Sequence, residues 1–294
     1  MLQGLVTRTI LSKDELAAIA HLIEICNTYE HLHTWVSPSM LQARPGNRVY
    51  DFLWYEQGIL VGYLALMAFM SDEECELVSV VHPDFRRRGI FRALLEEAKR
   101  ELRPREGKRF ILTCEHSSQS GQACVRAVDA TLDFSEHEMV LGTFHERLAY
   151  DDRLVFQAAS SEDLPVIASL FAIDRHESEE NSLHRVQQIA ARPRQQFYLA
   201  TFGDEQLGCH EPVGTLRLLD LDTQFGIYGF IVHPDYRGRG YGRQMLQEII
   251  HIARDKSDKP IMLDVDVTNE RALGLYRSVG FETRATYDYY VLTI

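Results

Sequence analysis

Apolar residues along this chain recur with two periods, and the two periods alternate. Leu16, Ile19, Leu22 and Ile23 follow one another at helical spacing, and so do Leu164, Ile167, Ala168 and Phe171. Each stripe follows a start signal, Ser12-x-x-Glu15 in the first case and Ser160-x-x-Asp163 in the second. In such a box the hydroxyl accepts from the N–H three residues on, while the acidic side chain reaches back to the cap's own N–H. Strand patterns come next. Val49 to Trp54 and Ile59 to Met67 flank a turn at Gln57-Gly58, and Phe197 to Phe202 and Val213 to Leu218 flank a polar stretch with Gly203-Asp204 and Gly208. Further on, Leu94, Leu95, Ala98 and Leu102 form one amphipathic helix, and Met245, Leu246, Ile249, Ile250 and Ala253 another. Each leads to a strand, Phe110 to Cys114 in the first case. In the second, Ile261, Leu263, Val265 and Val267 alternate with Met262, Asp264 and Asp266, so one face meets a core.

The pattern is a repeat. Val80-Val81-His82-Pro83-Asp84-Phe85-Arg86-Arg87-Arg88-Gly89-Ile90-Phe91 returns as Ile231-Val232-His233-Pro234-Asp235-Tyr236-Arg237-Gly238-Arg239-Gly240-Tyr241-Gly242, 151 residues later. Each half predicts a strand, a helix, three strands, a helix, a strand, a helix and a final strand. The expected fold is therefore α/β: two tandem domains, 1–150 and 151–294, each a mixed sheet flanked by helices, joined near Tyr150-Asp151-Asp152.

Composition narrows the class. The 294 residues, 45% apolar and 25% charged, suffice for two cores. A net charge of −12 repels phosphate backbones, so no nucleic-acid partner is expected. Five scattered cysteines, Cys26, Cys75, Cys114, Cys124 and Cys209, without a C-x-x-C pair, fit reduced thiols and a cytoplasmic location. No signal peptide stands at Met1 to Glu15, and the apolar stretch Ile59 to Met70 falls short of the ~20 residues that span a bilayer, so no membrane association is expected. His31-x-His33 and His176-Glu177 lack a ligand spacing, so no metal is expected either.

The segment Arg237-Gly238-Arg239-Gly240-Tyr241-Gly242 lies between an apolar strand and a helix. A helix start leaves N–H groups unpaired and carries positive potential, glycines admit a close ligand, and arginines add charged donors. Those features suit a phosphate or pyrophosphate. The R-x-x-G-x-G spacing after Val-x-Pro-x-Tyr resembles the acetyl-CoA-binding motif of the GNAT superfamily of N-acetyltransferases. Asn269-Glu270-Arg271-Ala272-Leu273-Gly274-Leu275-Tyr276-Arg277-Ser278-Val279-Gly280-Phe281 is similar to that family's N-x-x-A-x-x-x-Y-x-x-x-G-F segment. Ala272, Leu275, Tyr276 and Val279 share one helix face, and Gly280 suits a C-cap. The tandem arrangement resembles the mycothiol synthase-like two-domain members.

The resemblance implies transfer of an acetyl group from acetyl-CoA to a primary amine, on a small molecule or a peptide, by direct attack. It implies a loop (Arg237, Gly238, Arg239, Gly240, Tyr241 and Gly242) that holds the pyrophosphate and backbone at Ile231 and Val232 that holds the pantetheine arm. It also places Asn269 in the cofactor site and makes Tyr276 the acid for the departing thiolate. The first half departs from the motif: Arg86 and Gly89 remain, but Arg87 and Phe91 replace two glycines, Val125 falls opposite Tyr276, and Ser118 falls opposite Asn269. That half is expected to be structural or substrate-shaping, with vestigial CoA binding as the alternative. No general base stands out among Asp264, Asp266, Asp220, Asp222 and His233. The alternative function is a CoA-binding sensor or scaffold without turnover, for which the loop alone would suffice.

Overall fold

The structure is a computed structural model, and it describes residues 1–67, 74–102, 109–146, 151–204 and 209–293. Gly208, Tyr150 and the last residues of the apolar stretch ending at Met70 lie outside the described residues. In chain order the elements are β1 (Gly4–Arg8), α1 (Lys13–Glu30), α2 (Pro38–Gln42), β2 (Asp51–Glu56), β3 (Ile59–Met67), β4 (Glu74–Val81), α3 (Ile90–Leu102), β5 (Arg109–Glu115), α4 (Gln119–Ala127) and β6 (Thr131–Leu141). Then follow β7 (Leu154–Ala158), α5 (Leu164–Arg175), α6 (Glu179–Ala190), β8 (Gln195–Asp204), β9 (Cys209–Asp220), β10 (Phe225–Val232), α7 (Tyr241–Lys256), β11 (Ile261–Asp266), α8 (Glu270–Val279) and β12 (Phe281–Thr293).

The chain folds into two compact units. The first contains residues 1–136 and 285–294, and the second contains 137–284. This division by compactness is a different cut from the division by repeat, because the ends of β6 and β12 each belong to the unit built mainly by the other repeat. In the first unit the sheet order is β1-β2-β3-β4-β5-β12, antiparallel except for the β4–β5 pair. The chain's last strand thus closes this unit, with Tyr287 opposite Glu115 and Leu292 opposite Phe110. In the second unit the order is β6-β11-β10-β9-β8-β7; β10–β11 is parallel, and β10–β9, β9–β8 and β8–β7 are antiparallel. Alternation of period two tells which face of a strand is buried. It does not tell which strand lies alongside.

Each sheet buries both faces. In the second unit α7 and α8 cover Leu216, Leu218, Ile227, Leu263 and Val265, while α5 and α6 cover Phe197, Leu199 and Ile231. The predicted stripe of α7 is almost solvent-free, with Met245, Leu246, Ile249, Ile250 and Ala253 all at 0% exposure. Truncating such a residue, for example Ile249→Ala, costs about 2–5 kcal/mol. The first unit repeats the arrangement, with α3 and α4 over Leu77, Phe110 and Leu112 and α1 over Leu53, Tyr63 and Val80.

Both predicted capping boxes form, Ser12 with Glu15 at α1 and Ser160 with Asp163 on the single turn before α5. His31 and His176 end α1 and α5 in the left-handed conformation, so both are helix caps. Among the described residues no three His, Cys, Asp or Glu side chains cluster as a metal site, and no helix is long and apolar enough to cross a membrane. The pattern did not predict α2 and α6. The buried stripe of α6 includes Ser182 beside Val186 and Ile189, and its first turn is acidic, so its apolar period is diluted.

Candidate functional site

In the second unit the parallel strands β10 and β11 are paired over only three positions, Phe225↔Ile261, Gly226↔Met262 and Ile227↔Leu263. Beyond Ile227 they part. The cause lies in β10, whose register against β9 shifts between Tyr228 and Ile231. Four steps along β10, from Ile227 to Ile231, face three along β9, from Leu218 to Thr215. The additional residue forms a β-bulge, which bends the strand away from its neighbour. Gly229 within it has φ 56, and the Phe171 ring of α5 stands 2.7 Å from where its Cβ would be. Only glycine meets both demands. Past the bulge, the β11-facing edge of β10, including Ile231 and Val232, has no β11 partner.

At the end of β10 the chain makes one tight turn, Pro234–Tyr236, and then starts α7. His233 Nδ1 accepts from the Asp235 N–H, so this imidazole is a turn cap. Gly238 and Gly240 have φ of 80 and 92. Nothing lies within 4 Å of a Cβ at Gly240, and no side chain caps the helix there. The first-turn N–H groups of α7 therefore face open space with the positive end of the helix dipole behind them. Arg239 stacks on Tyr236 at 5.6 Å. Tyr241 is buried and its hydroxyl donates to Asp151 at 3.2 Å. A Cβ at Gly242 would stand 3.3 Å from Val232 Cγ2 and 3.4 Å from Leu275 Cδ2, so that glycine lets strand, loop and α8 pack closely.

Two motif residues act inside the protein. Arg237 donates from Nε to the Val232 carbonyl at 2.7 Å and from its terminal nitrogen to Asp174 at 2.9 Å, which ties the loop to the strand end and to α5. Asn269 caps α8 by accepting from the Ala272 N–H at 3.1 Å. One cation escaped the sequence reasoning. Arg271, in the first turn of α8, brings its guanidinium to 4.0 Å from a Cβ at Gly238, and it is exposed. A cation one turn inside the second motif, next to the loop in space, is the signal that could have found it.

Tyr276 sits on the inner face of α8 between Phe230 and Phe281, with ring centroids 6.2 and 6.1 Å away. It is 8% exposed, and its hydroxyl has no hydrogen-bond partner among the described residues. Burial pushes its pKa up to about 12. The α8 end is fixed by Gly280, φ 112, where any Cβ would fall 1.8 Å from the Thr143 carbonyl oxygen. Of the carboxylates considered as a base, Asp220 pairs with Lys259, Asp222 with Arg194, and Asp266 holds the turn at Thr268.

The first unit has the same plan with other contents. Its β4–β5 pairing ends at Leu77↔Leu112, and β4 runs on beside β3 without a bulge. Arg86 repeats the brace, with Nε on the Val81 carbonyl at 3.0 Å and Nη1 on Glu30. Glu30 also accepts from Ser118 Oγ at 2.9 Å and from the Ser120 N–H at 3.4 Å, at the start of α4. A cavity of about 800 Å³ lies under this strap, lined by Leu77, Val81, Ile90, Leu112, Cys114 and Val125 among others. Val125 occupies the place of Tyr276, so the cavity has no phenol there.

With this geometry in view, comparison with known proteins identifies the class. The profile of the acetyltransferase (GNAT) family matches residues 16–127 and 164–281, and the chain belongs to that family. The family implies acetyl-CoA as donor and an amine as acceptor. Mycothiol acetyltransferase of Thermomonospora curvata is 24% identical over 95% of this chain and 93% of its own length. N-alpha-acetyltransferase RimI of Mycobacterium tuberculosis is 41% identical over 59 residues, which is 20% of this chain and 35% of that protein. A GNAT structure from Sphaerobacter thermophilus shares the fold, with a TM-score of 0.77 at 18% identity over 98% of this chain and 95% of that one.

Proposed function

We propose that the second unit transfers the acetyl group of acetyl-CoA to a primary amine, which attacks directly. One coincidence supports this most: a single gap between β10 and β11 has an uncapped helix start at one end and a partnerless phenol beside it. The loop fits the donor, since positive φ at Gly238 and Gly240 and the empty space at Gly240 leave room for a pyrophosphate on the α7 N–H groups. When bound, acetyl-CoA supplies an activated acyl group and a thiol leaving group.

The remaining roles fall to the chain itself. Arg239 and Arg271 add positive charge beside the loop, and Arg237 keeps the loop in register with Val232. Backbone at Ile231 and Val232 pairs with the pantetheine arm as an added strand would. Bulge N–H groups polarise the reacting carbonyl. Most of the acceleration comes from holding amine and carbonyl in contact. Tyr276 gives its proton to the departing thiolate, on a helix whose start Asn269 caps. A phenol at about 12 is a weak acid, but the burial that raises it disfavours the thiolate as well, so the two stay close.

The repeat boundary lies at about residue 150, with 1–150 the degenerate repeat and 151–294 the catalytic one. The acceptor is a small molecule or peptide amine. The test is thiol release from acetyl-CoA with a panel of primary amines, read beside calorimetric binding of acetyl-CoA. Amine-dependent release is the expected result. Binding without release for every amine would replace this reading with the non-catalytic sensor.

A further inference from the structure

On the α5/α6 face of the second unit, at the closed end of the β10–β11 gap, stands a charged side chain that the mechanism above does not use. Arg217 of β9 is opposite Phe197 on one side and Tyr228 on the other, and cross-strand partners share a face. Its guanidinium lies over the Tyr228 ring, 5.2 Å from the centroid. That ring folds across Gly226, within 2.4 Å of where a Cβ would be, and its hydroxyl reaches Met262 Sδ on β11 at 3.6 Å. Tyr228 therefore roofs the last paired positions of the two strands, and the bulge residue Gly229 follows it directly. Arg217 sits at the point where the gap opens.

The groups that touch it are neutral, and the charged neighbour that acts on it, Arg192, is a cation. Nη1 donates to Gln195 Oε1, the ring lies beneath, and no carboxylate pairs with it among the described residues. Burial pushes its pKa down to about 10, with Tyr228 opposing and Arg192 adding to the fall, so it stays charged at neutral pH. A half-buried guanidinium held by an amide oxygen and a π face keeps donors in reserve and lacks a counter-charge. The first unit shows that the fold does not need it. Counting from the core pairs Leu66↔Leu77 and Leu218↔Ile227, the matching positions are Ala65 and Val78, both packed in an apolar cluster.

We infer that Arg217 receives the carboxylate of the acceptor, so that the substrate is a primary amine that also carries a carboxylate. The inference rests on the acetyl-transfer reading above. A planar guanidinium matches a single carboxylate in a two-bond fork. Arg217 and the bulge are cross-strand neighbours, with Cβ positions roughly 5–8 Å apart, which is the scale of a short amino acid. The site is locally cationic in a chain of net charge −12, so it is specific against the background field rather than part of it.

The experiment compares acids with their own amides. Glycine, β-alanine and 4-aminobutyrate are each assayed beside the carboxamide, by thiol release from acetyl-CoA and by calorimetric titration into the protein with CoA present. The wild type should favour the acid in at least one pair. Arg217→Gln should lower the acid-to-amide ratio of kcat/KM about 10–100-fold, and Arg217→Lys, which keeps charge without the fork, should fall between. Melting curves show that the variants are folded. Equal use of acids and amides by the wild type, or an unchanged ratio in Arg217→Gln, overturns the inference and leaves acetyl transfer standing. Acid binding that weakens in Arg217→Gln without any turnover sustains the site and sinks the acetyl-transfer reading. No binding and no turnover of any acid overturns the carboxylate assignment.

Discussion

The two units place the same arginine in the same brace and then diverge over what fills the space next to it. Arg86 and Arg237 both donate from Nε to the carbonyl ending the preceding strand and from a terminal nitrogen to a carboxylate at the end of the first helix. In the first unit that carboxylate, Glu30, also collects Ser118 and the Ser120 N–H, so a protein anion sits at the start of α4. In the second, Asp174 pairs with Arg237, and the position matching Ser120 is the exposed cation Arg271. One unit carries its own anion at α4. At the matching helix α8 the other has the Asn269 cap and an exposed cation in place of that anion. The motif arginine is thus a device of the fold, common to both, while the glycines, Arg271 and Tyr276 set the second unit apart from the strapped one.

The largest effect that separates the units is expected at the helix starts. Gly240→Glu places a carboxylate at a left-handed position with nothing within 4 Å, so the fold should survive while acetyl-CoA affinity drops by more than about 100-fold. Gly89→Glu, also at positive φ in open space, should leave the affinity near that of the wild type. Calorimetry on both folded variants decides, and equal losses would mean that the units bind alike. Comparable in size is Tyr276→Phe. Loss of the proton donor should reduce turnover about 10²–10⁴-fold with little change in KM for acetyl-CoA. The phenol makes no hydrogen bond among the described residues, so stability should move by about 1 kcal/mol or less. Turnover within about twofold of wild type, with chemistry rate-limiting, would return Tyr276 to the core.

Much of this contrast is legible in the sequence because it depends on local chemistry. Glycine at 238 and 240, Asn269 before a helix and Gly280 after it report backbone conformations that few other residues adopt, and Ser118 opposite Asn269 and Asp129 opposite Gly280, φ 56 and 112, fall where the repeat puts them. What escaped depends on direction and partners. A glycine at 229 inside an apolar strand gives no sign that it is a bulge rather than a place of close packing. The guanidinium of Arg237 turns back on its own strand, although the motif alone suggests an outward donor. Arg217 lies in a strand whose other face is core, so its burial shows only once Tyr228 and Gln195 are in place. The closing strands of the units belong to opposite repeats, a matter of neighbours that the period of two does not encode.

A smaller effect tests the brace itself. Arg86 and Glu30 are 20% and 13% exposed, against 35% and 41% for Arg237 and Asp174. Removal of a charge from the more buried pair leaves its partner short of a counter-charge, so Arg86→Met should cost about 1–3 kcal/mol. The exposed pair is screened, and Arg237→Met should cost about 1 kcal/mol or less. Urea unfolding measures both. Equal costs would show that the strap in the first unit adds nothing to the brace.

The smallest effect is the pH dependence of that strap, and its sign follows from Glu30. Burial opposes the ionised form, but hydrogen bonds from Ser120, Ser118 and Arg86, with the charge of Arg86, outweigh it and hold the pKa below the ordinary value of 4.5. A carboxyl depressed on folding stabilises the folded state at every pH above its unfolded value, and that contribution is lost as the pH falls through the folded value. Glu30→Gln keeps the shape and part of the hydrogen bonding but cannot ionise. Wild type should therefore be the more stable protein at neutral pH by a constant margin, and the margin should shrink only once the pH drops below 4.5. Melting temperatures of the two proteins from about pH 7 to about pH 3 give the comparison. Other acidic groups titrate in both proteins, so the difference between them isolates Glu30. A margin that held constant down to the acid end would mean that the strap does not depend on ionised Glu30. The first unit would then differ from the second by its lost glycines and phenol alone, and not by an anion of its own.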